Sequence, residues 1–311
     1  MNIQQIDYIL AVNELRNFGN AAEKSCITQS TLSTMIGKFE DEIGIKIFDR
    51  KTKPVSLTKE GSTIIQQLKI ISKEISTLNE VVQSLKGELL GELKIGIIPT
   101  VAPFILPEFL TDFAQKFPNI TFSVSEKNTD AITEALKRRE LDIGIMAIPV
   151  GMSDLHEIPL YNEPFVLYDC TRGKSNSFVN VETIDYDKFW LLEEGHCLHT
   201  QVKKICDYGI SKKNESINFN FKAGSVDSLI RFVKVNKGLT MLPYLASLDL
   251  TPVEYKKITY FQSPVPVRTI GIVVHKHFVK KQLLNLLERE IKDKIQPMLN
   301  SSEEEFVVSP L

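Results

Sequence analysis

Residues 17–61 read NFGNAAEKSCITQSTLSTMIGKFEDEIGIKIFDRKTKPVSLTKEG. Within them Leu32, Ile36, Phe39 and Ile43 recur every three or four positions, which is the spacing of one apolar helix face. Thr28 stands where an N-cap is needed and Gly44 where the helix should stop. A short helix over 17–25 comes before it. Upstream, Ile6, Tyr8, Ile9, Val12 and Leu15 mark a first helix over 3–15. Two short helices, a tight turn and a polar-fronted third helix make a helix-turn-helix. In that motif the N-terminal residues of the second motif helix enter the major groove. Here they are Gln29, Ser30, Thr31 and Ser33, short donors and acceptors suited to base edges and phosphates. Lys38, one or two turns on, is placed to hold the backbone. Cys26, in the turn, reads as a small buried hydrophobe with no redox role.

After Gly44, Ile45 and Ile47, then Val55 and Leu57, read as two short strands around the basic turn Arg50-Lys51-Thr52-Lys53-Pro54. That is a wing whose cations would meet phosphates, so DNA binding should fall steeply with salt. Serine and threonine at a helix start also serve as caps, and a basic turn also occurs as a solvated loop. Together and in this order the features favour DNA.

The stretch resembles the winged helix-turn-helix of LysR-type transcriptional regulators. The matching features are Ala21-Ala22, Thr28-Gln29-Ser30-x-Leu32-Ser33, Lys38-x-Glu40, Gly44, Phe48-x-Arg50 and Leu57-Thr58-x-x-Gly61. The resemblance implies contacts to double-stranded operator DNA from Gln29, Ser30, Thr31, Ser33, Lys38, Arg50 and Lys53.

From Lys59 to Lys86 there is no proline. Ile64, Leu68, Ile71, Ile75, Leu78, Val82 and Leu85 are spaced alternately four and three apart, an unbroken a/d seam. Packing on its own domain could give part of this pattern. A helix of about forty ångströms between two domains is expected instead to pair with a second copy. Self-association then brings two half-sites on DNA. Gly87 and Gly91 end the helix.

Across the 311 residues the apolar fraction of 43% and charged fraction of 24% are ordinary for a globular chain. The net charge of −2 excludes a protein that is a basic nucleic-acid binder throughout. Four cysteines argue against a disulfide-scaffolded secreted domain. No signal peptide or membrane span is read, so a cytoplasmic location is expected. No phosphate-binding Gly-rich loop, GxSxG elbow or HExxH is present, and neither enzymatic activity nor a cofactor is expected.

The remainder alternates strands and helices. Strands are expected at 93–98, 120–124, 142–148, 166–168, 190–192, 219–222 and 270–275. Helices are expected at 101–117, 130–139, 226–235 and 278–295. This pattern predicts a parallel α/β sheet covered on both faces. Ligands in such sheets sit beyond the carboxyl ends of strands, which selects Thr100 and Thr129; both also suit an N-cap. The expected domains are the winged helix-turn-helix at 1–58, a linker and dimerisation helix at 59–88, a regulatory domain at 89–297 and a flexible acidic tail at 298–311. By resemblance to LysR-type regulators, the regulatory domain is of the two-lobed periplasmic-binding-protein kind.

Residues 191–209, LLEEGHCLHTQVKKICDYG, hold two of the four cysteines, Cys197 and Cys206. A thiolate reacts with peroxide, and a helix N-terminus with a nearby cation lowers a thiol's pKa. Cys197 stands at the start of an amphipathic helix expected over 198–207. The two cysteines lie about thirteen ångströms apart along such a helix and on opposite faces. A disulfide requires Cα atoms within about seven ångströms, so the segment must unwind for one to form. Ordinary free thiols remain an alternative. So does a zinc site from His196, Cys197, His199 and Cys206, although no CxxC pair accompanies it and no metal is expected.

Ile98-Pro99-Thr100-Val101, Leu191-x-Glu193-x-Gly195-His196-Cys197-Leu198 and Arg268-Thr269-Ile270-Gly271 resemble the hydrogen-peroxide-sensing members of the family. That resemblance implies Cys197 as the peroxidatic and Cys206 as the resolving, redox-active cysteine. Thr100, Thr129, His196 and Arg268 are implied as the polar peroxide pocket. His199 and Asn220 depart from the expected arginine and histidine. The implied partners are operator DNA, hydrogen peroxide as effector, further copies of the chain up to a tetramer, RNA polymerase and a thiol-reducing protein. The alternative is a LysR-type regulator answering a small metabolite bound between the lobes.

Overall fold

The computed structural model describes residues 1–85, 89–171, 178–184, 186–193, 195–206, 221–299 and 304–311. The chain divides into two compact units, Met1–Glu88 and Leu89–Leu311.

The first unit holds α1 (Ile3–Leu15), α2 (Phe18–Lys24), α3 (Gln29–Ile43), the strands β1 (Phe48–Asp49) and β2 (Ser56–Leu57), and α4 (Lys59–Leu85). Each short helix starts on a polar cap: Asn2, Asn17 and Thr28 accept backbone N–H groups that would otherwise be unpaired. Gly44 ends α3 in the left-handed conformation at φ 71°. β1 and β2 pair antiparallel, Phe48 opposite Leu57. Ile9, Val12, Ala21, Leu32, Ile36 and Phe39 form the core, with Ile65 and Leu68 of α4 packed into it. Leu78 and Val82, farther along α4, are exposed. The proximal end of the α4 seam is therefore domain core, while these two distal residues are uncovered in the single chain. Cys26 is exposed, against the sequence reading. Its backbone sits at φ 55°, turning the side chain out while Ala21 and Ala22 fill the core.

The second unit contains β3 (Gly91–Ile97), α5 (Ala102–Lys116), β4 (Ile120–Glu126), α6 (Thr129–Lys137), β5 (Ile143–Ile148), β6 (Leu155–Asp169) and α7 (Cys197–Ile205). After these come α8 (Val226–Val235), β7 (Leu239–Pro243), α9 (Tyr244–Leu248), α10 (Pro252–Tyr255), β8 (Ile258–Tyr260), β9 (Val265–His275), α11 (Lys281–Ile295) and β10 (Glu305–Val307). The strand order is β4-β3-β5-β9-β6-β7, with β8 on β6 and β10 on β9. The sheet is mixed. β4-β3-β5 is parallel, but β5–β9, β9–β6, β6–β7 and β6–β8 are antiparallel. The all-parallel expectation fails because two long strands, β6 and β9, return through the sheet and stitch its two lobes. β6 pairs β9 along its first ten residues and turns to β7 and β8 along its last five.

Two further expectations change. Residues 190–192 make one isolated bridge, Leu192 to Ala223, and no strand. Phe219 and Asn220 lie outside the described residues. The acidic tail, where described, is held: β10 adds parallel to β9 with Glu305 opposite Val265, and Val308 is buried. Charge composition pointed to a solvated end, but Val265–Val267 of β9 run past the end of β5 and offer unpaired backbone groups there, and a strand satisfies them.

Candidate functional site

In the first unit, Gln29, Ser30, Thr31, Lys38 and Lys53 are exposed, the first three on the leading turn of α3. The Thr28 hydroxyl lies 3.0 Å from that of Ser30 and 2.8 Å from that of Thr31, and it accepts the Thr31 N–H. Arg50 is engaged within the protein. Its Nη1 donates to Ser33 Oγ at 2.9 Å, its Nη2 lies 3.3 Å from Glu40 Oε2, and its guanidinium sits 5.1 Å over the Phe18 ring. Glu40, fully buried, also accepts the N–H groups of Ile47 and Phe48. Two of the expected DNA contacts, Ser33 and Arg50, thus bind each other and brace the wing against α3. Glu40 is the residue that the sequence reading did not single out; only its place in the motif hinted at it.

In the second unit, the end of β3 and the start of α5 bring Thr100 under β9. Arg268, on β9, is completely buried. Its Nη1 donates to Thr100 Oγ1 at 3.0 Å and its Nη2 to the Thr100 carbonyl at 2.9 Å. Its Nε and Nη2 bind Glu163 Oε2 at 2.9 and 2.7 Å. Glu163 stands opposite Arg268 in the β6–β9 register, is equally buried, and accepts the Leu245 N–H through its other oxygen. The charges neutralise each other, as burial of either requires. Of five guanidinium N–H groups, these bonds leave one on Nη1.

Cys197 is the first residue of α7, buried, and within the field of Arg268. Burial raises its thiol above the ordinary value. Arg268, the Thr129 hydroxyl and the N–H groups of Leu198 and Cys197 itself pull the other way without prevailing. The lowering expected from a helix start and a nearby cation is present but is outweighed by desolvation. The alternative that the two threonines are only N-caps does not hold. Val101 and Asn128 occupy those positions, and both hydroxyls turn into the interior. Thr129 Oγ1 is buried with no hydrogen-bond partner of its own, and its influence falls on the Cys197 sulfur.

His196 supplies the N-cap backbone of α7, but its side chain makes no capping bond, and the hydrogen bonds of Arg268 do not include it. His199 ties α7 to the preceding segment, its Nδ1 2.6 Å from the Leu192 carbonyl. The described helix ends at Ile205, two residues short of the expected end; Asp207 lies outside the described residues. Cys206 is the C-cap, buried, its thiol pushed up to about 12 by burial, with the Tyr186 hydroxyl opposing. Tyr186 in turn donates to the Val181 carbonyl. Sequence reasoning missed Glu163 and Tyr186. Both come to the site through pairing across the fold, and nothing in their local sequence marks them.

Among the described residues no helix is long and apolar enough to cross a membrane. Residues 3–62 match the bacterial regulatory helix-turn-helix protein, lysR family, and residues 86–295 match the LysR substrate binding domain. The chain is 32% identical over 279 residues to the DNA-binding transcriptional dual regulator OxyR of Escherichia coli, covering 88% of this chain and 89% of that protein. A full-length OxyR variant from Pseudomonas aeruginosa superimposes with a TM-score of 0.74 at 28% identity, covering 94% of this chain and 95% of that one. A Corynebacterium glutamicum OxyR variant with hydrogen peroxide bound gives 0.61 at 25% identity, covering 95% and 93%. With both units matched by models of one family, the chain belongs to the LysR family of bacterial transcriptional regulators.

Proposed function

We propose that this chain is a peroxide-responsive, DNA-binding transcriptional activator in which Cys197 and Cys206 are the redox pair. The observation that carries the reading is the setting of Cys197. It is a helix-starting thiol beside a buried arginine and an unpartnered buried hydroxyl, with a second buried thiol at the other end of the same nine-residue helix. The relatives support it: one is named as an OxyR regulator and another holds hydrogen peroxide.

In the proposed reaction the Cys197 thiolate attacks one oxygen of hydrogen peroxide and the O–O bond breaks. The second oxygen leaves as hydroxide, takes the thiol's proton and becomes water. Arg268, through its remaining Nη1 N–H, and Thr129, through its O–H, orient the peroxide and stabilise the departing oxygen; Thr100 holds Arg268, and His196 lies next to Cys197 at the start of α7. The Cys206 sulfur then attacks the resulting sulfenic acid, expelling a second water and forming the disulfide. Together the two thiols give up two electrons. Cys197 and Cys206 are the ends of an intact α7, about thirteen ångströms apart by helix rise, so the bond requires the helix to unwind. This local refolding is the covalent event from which a subunit rearrangement can follow.

DNA is met by Gln29, Ser30, Thr31, Ser33, Lys38, Arg50 and Lys53. Dimerisation uses the distal α4 seam at Leu78 and Val82, and a tetramer, RNA polymerase and a thiol reductant complete the partners. The test is titration of the reduced protein with peroxide while free thiols are counted and the operator footprint is followed. Stoichiometric loss of two thiols, a Cys197–Cys206 disulfide by peptide mass and an altered footprint are expected. An unchanged footprint with no such disulfide would sink the reading.

A further inference from the structure

The redox helix carries a buried side chain that the reaction above does not use. Gln201 lies one helical turn beyond Cys197, on the same face, and is completely buried. Its Nε2 donates to the Val308 carbonyl at 2.9 Å, across more than a hundred residues of chain. Val308 is itself 2% exposed, and its N–H donates to the Val267 carbonyl at 2.8 Å. Val267 immediately precedes Arg268 on β9. The rest of the segment is fastened by β10 pairing with β9, by the Val265 N–H to the Glu304 carbonyl, and by Asn162 Nδ2 to Glu305 Oε2 at 2.7 Å. One residue thus bridges the strand that carries the arginine and the helix that carries the cysteine.

We propose that Gln201 is a positioning residue and that segment 304–311 is a strut, its Val308 carbonyl holding α7 in the dithiol conformation and so setting how readily the disulfide forms. The inference rests on the redox reading above. Disulfide formation requires α7 to unwind between its ends, and Gln201 sits in the middle of what must unwind. The Gln201–Val308 bond therefore belongs to the dithiol state and is lost in the disulfide state. A bond present in only one state biases the equilibrium toward that state by its full net value. A neutral buried hydrogen bond of this kind corresponds to about threefold to tenfold in an equilibrium constant.

The experiment uses the full chain and breaks the bridge from both sides. Gln201→Met keeps the shape of the side chain and removes the donor. Val308→Pro removes the N–H that fastens the strut to Val267. Each protein is equilibrated with reduced and oxidised glutathione, in which two thiols pass two electrons and two protons to glutathione disulfide. The Cys197–Cys206 disulfide is quantified by peptide mass. Each variant is expected to shift the equilibrium toward the disulfide by about threefold to tenfold, and the double variant by no more than the larger single shift. The initial rate of sulfenic acid formation at Cys197 stays within about twofold of wild type, because Arg268, Thr100 and Thr129 are untouched; general loosening of the domain would move it. If wild type forms the disulfide but neither variant shifts its equilibrium, the strut is overturned and the redox reading stands. Additive shifts, or shifts toward the dithiol, overturn it equally. If wild type forms no such disulfide, both fall. Should one variant fail to fold, the other, acting on a different element, decides.

Discussion

Helix α3 begins on a side-chain cap, ends on a left-handed glycine and turns its leading polar residues to solvent. Helix α7 begins without a side-chain cap, ends on a thiol and is buried at Cys197, Leu198, Gln201, Val202 and Ile205. The first satisfies its own ends and can present a fixed surface. The second, nine residues long, is too short to persist by its own hydrogen bonds and depends on what surrounds it. Both helices bury a face, but their ends are held differently: by a side-chain cap and a left-handed glycine in α3, by tertiary contacts alone in α7.

The comparison breaks most visibly at the thiol. Cys197→Ser should abolish both the disulfide and the peroxide-dependent change in the operator footprint, leaving basal DNA binding intact. A response that survives in this variant and follows a small metabolite would move the function to the other reading of the regulatory lobes. Next in size is Glu163→Gln, which strands the Arg268 charge in the interior. Breaking a buried ion pair from one side costs about 3–5 kcal/mol, read by urea unfolding of the regulatory unit. Operator binding at the other end of the chain is expected to be unaffected if the two helices are independently stabilised.

Acidity separates the two regions as well. Since burial holds Cys197 above the ordinary thiol value, its thiolate fraction grows about tenfold per pH unit across neutrality. Stopped-flow oxidation by peroxide should follow that slope from pH 6 to 8; a plateau near pH 6 would show a resting thiolate. Cys206 has a folded pKa of about 12 against an ordinary 9.0. Its protonated form is favoured by folding. The dithiol state keeps that stability below pH 9 and loses it as pH rises toward 12, a trend that Cys206→Ser should remove from thermal melts.

Smaller effects sharpen the contrast in caps and charge. Thr28→Ala removes the α3 cap and should cost about 1 kcal/mol of stability, with weaker operator binding. Giving α7 a cap through His196→Ser should do the reverse there, raising the melting temperature of the dithiol form and slowing disulfide formation. Finally, Lys53→Ala should lower the slope of log binding constant against log salt by about 1, with no effect on thiol chemistry. Arg50→Ala should disturb the wing itself, since that side chain braces α3 through Ser33 and Glu40.

What was legible follows the same division. Thr28, Gly44 and the apolar spacing of α3 are local signals, and the helix runs Gln29–Ile43 between them. Helix α8 likewise runs Val226–Val235, the expected span, and the structure adds Ser225 as its cap. The readings that changed all turn on distant partners. Cys26 was read as buried from its residue type, but the backbone turn faces it outward. Thr100 and Thr129 were selected by strand ends with capping left open, and it is β9 that brings Arg268 to one and α7 that brings Cys197 toward the other. The acidic end looked solvated because its partner, the start of β9, lies some forty residues away in sequence.

By itself the sequence determined the helix ends, the wing, the seam of α4 and the presence of two thiols on one short segment, because caps, turns and periodicity act within a few residues. Only the tertiary structure decided that Arg268 is neutralised by Glu163, that burial works against the cation at Cys197, and that Gln201 of α7 bonds a segment from the far end of the chain. Those outcomes depend on burial and on which distant groups share a low-dielectric interior, and neither is written in local spacing.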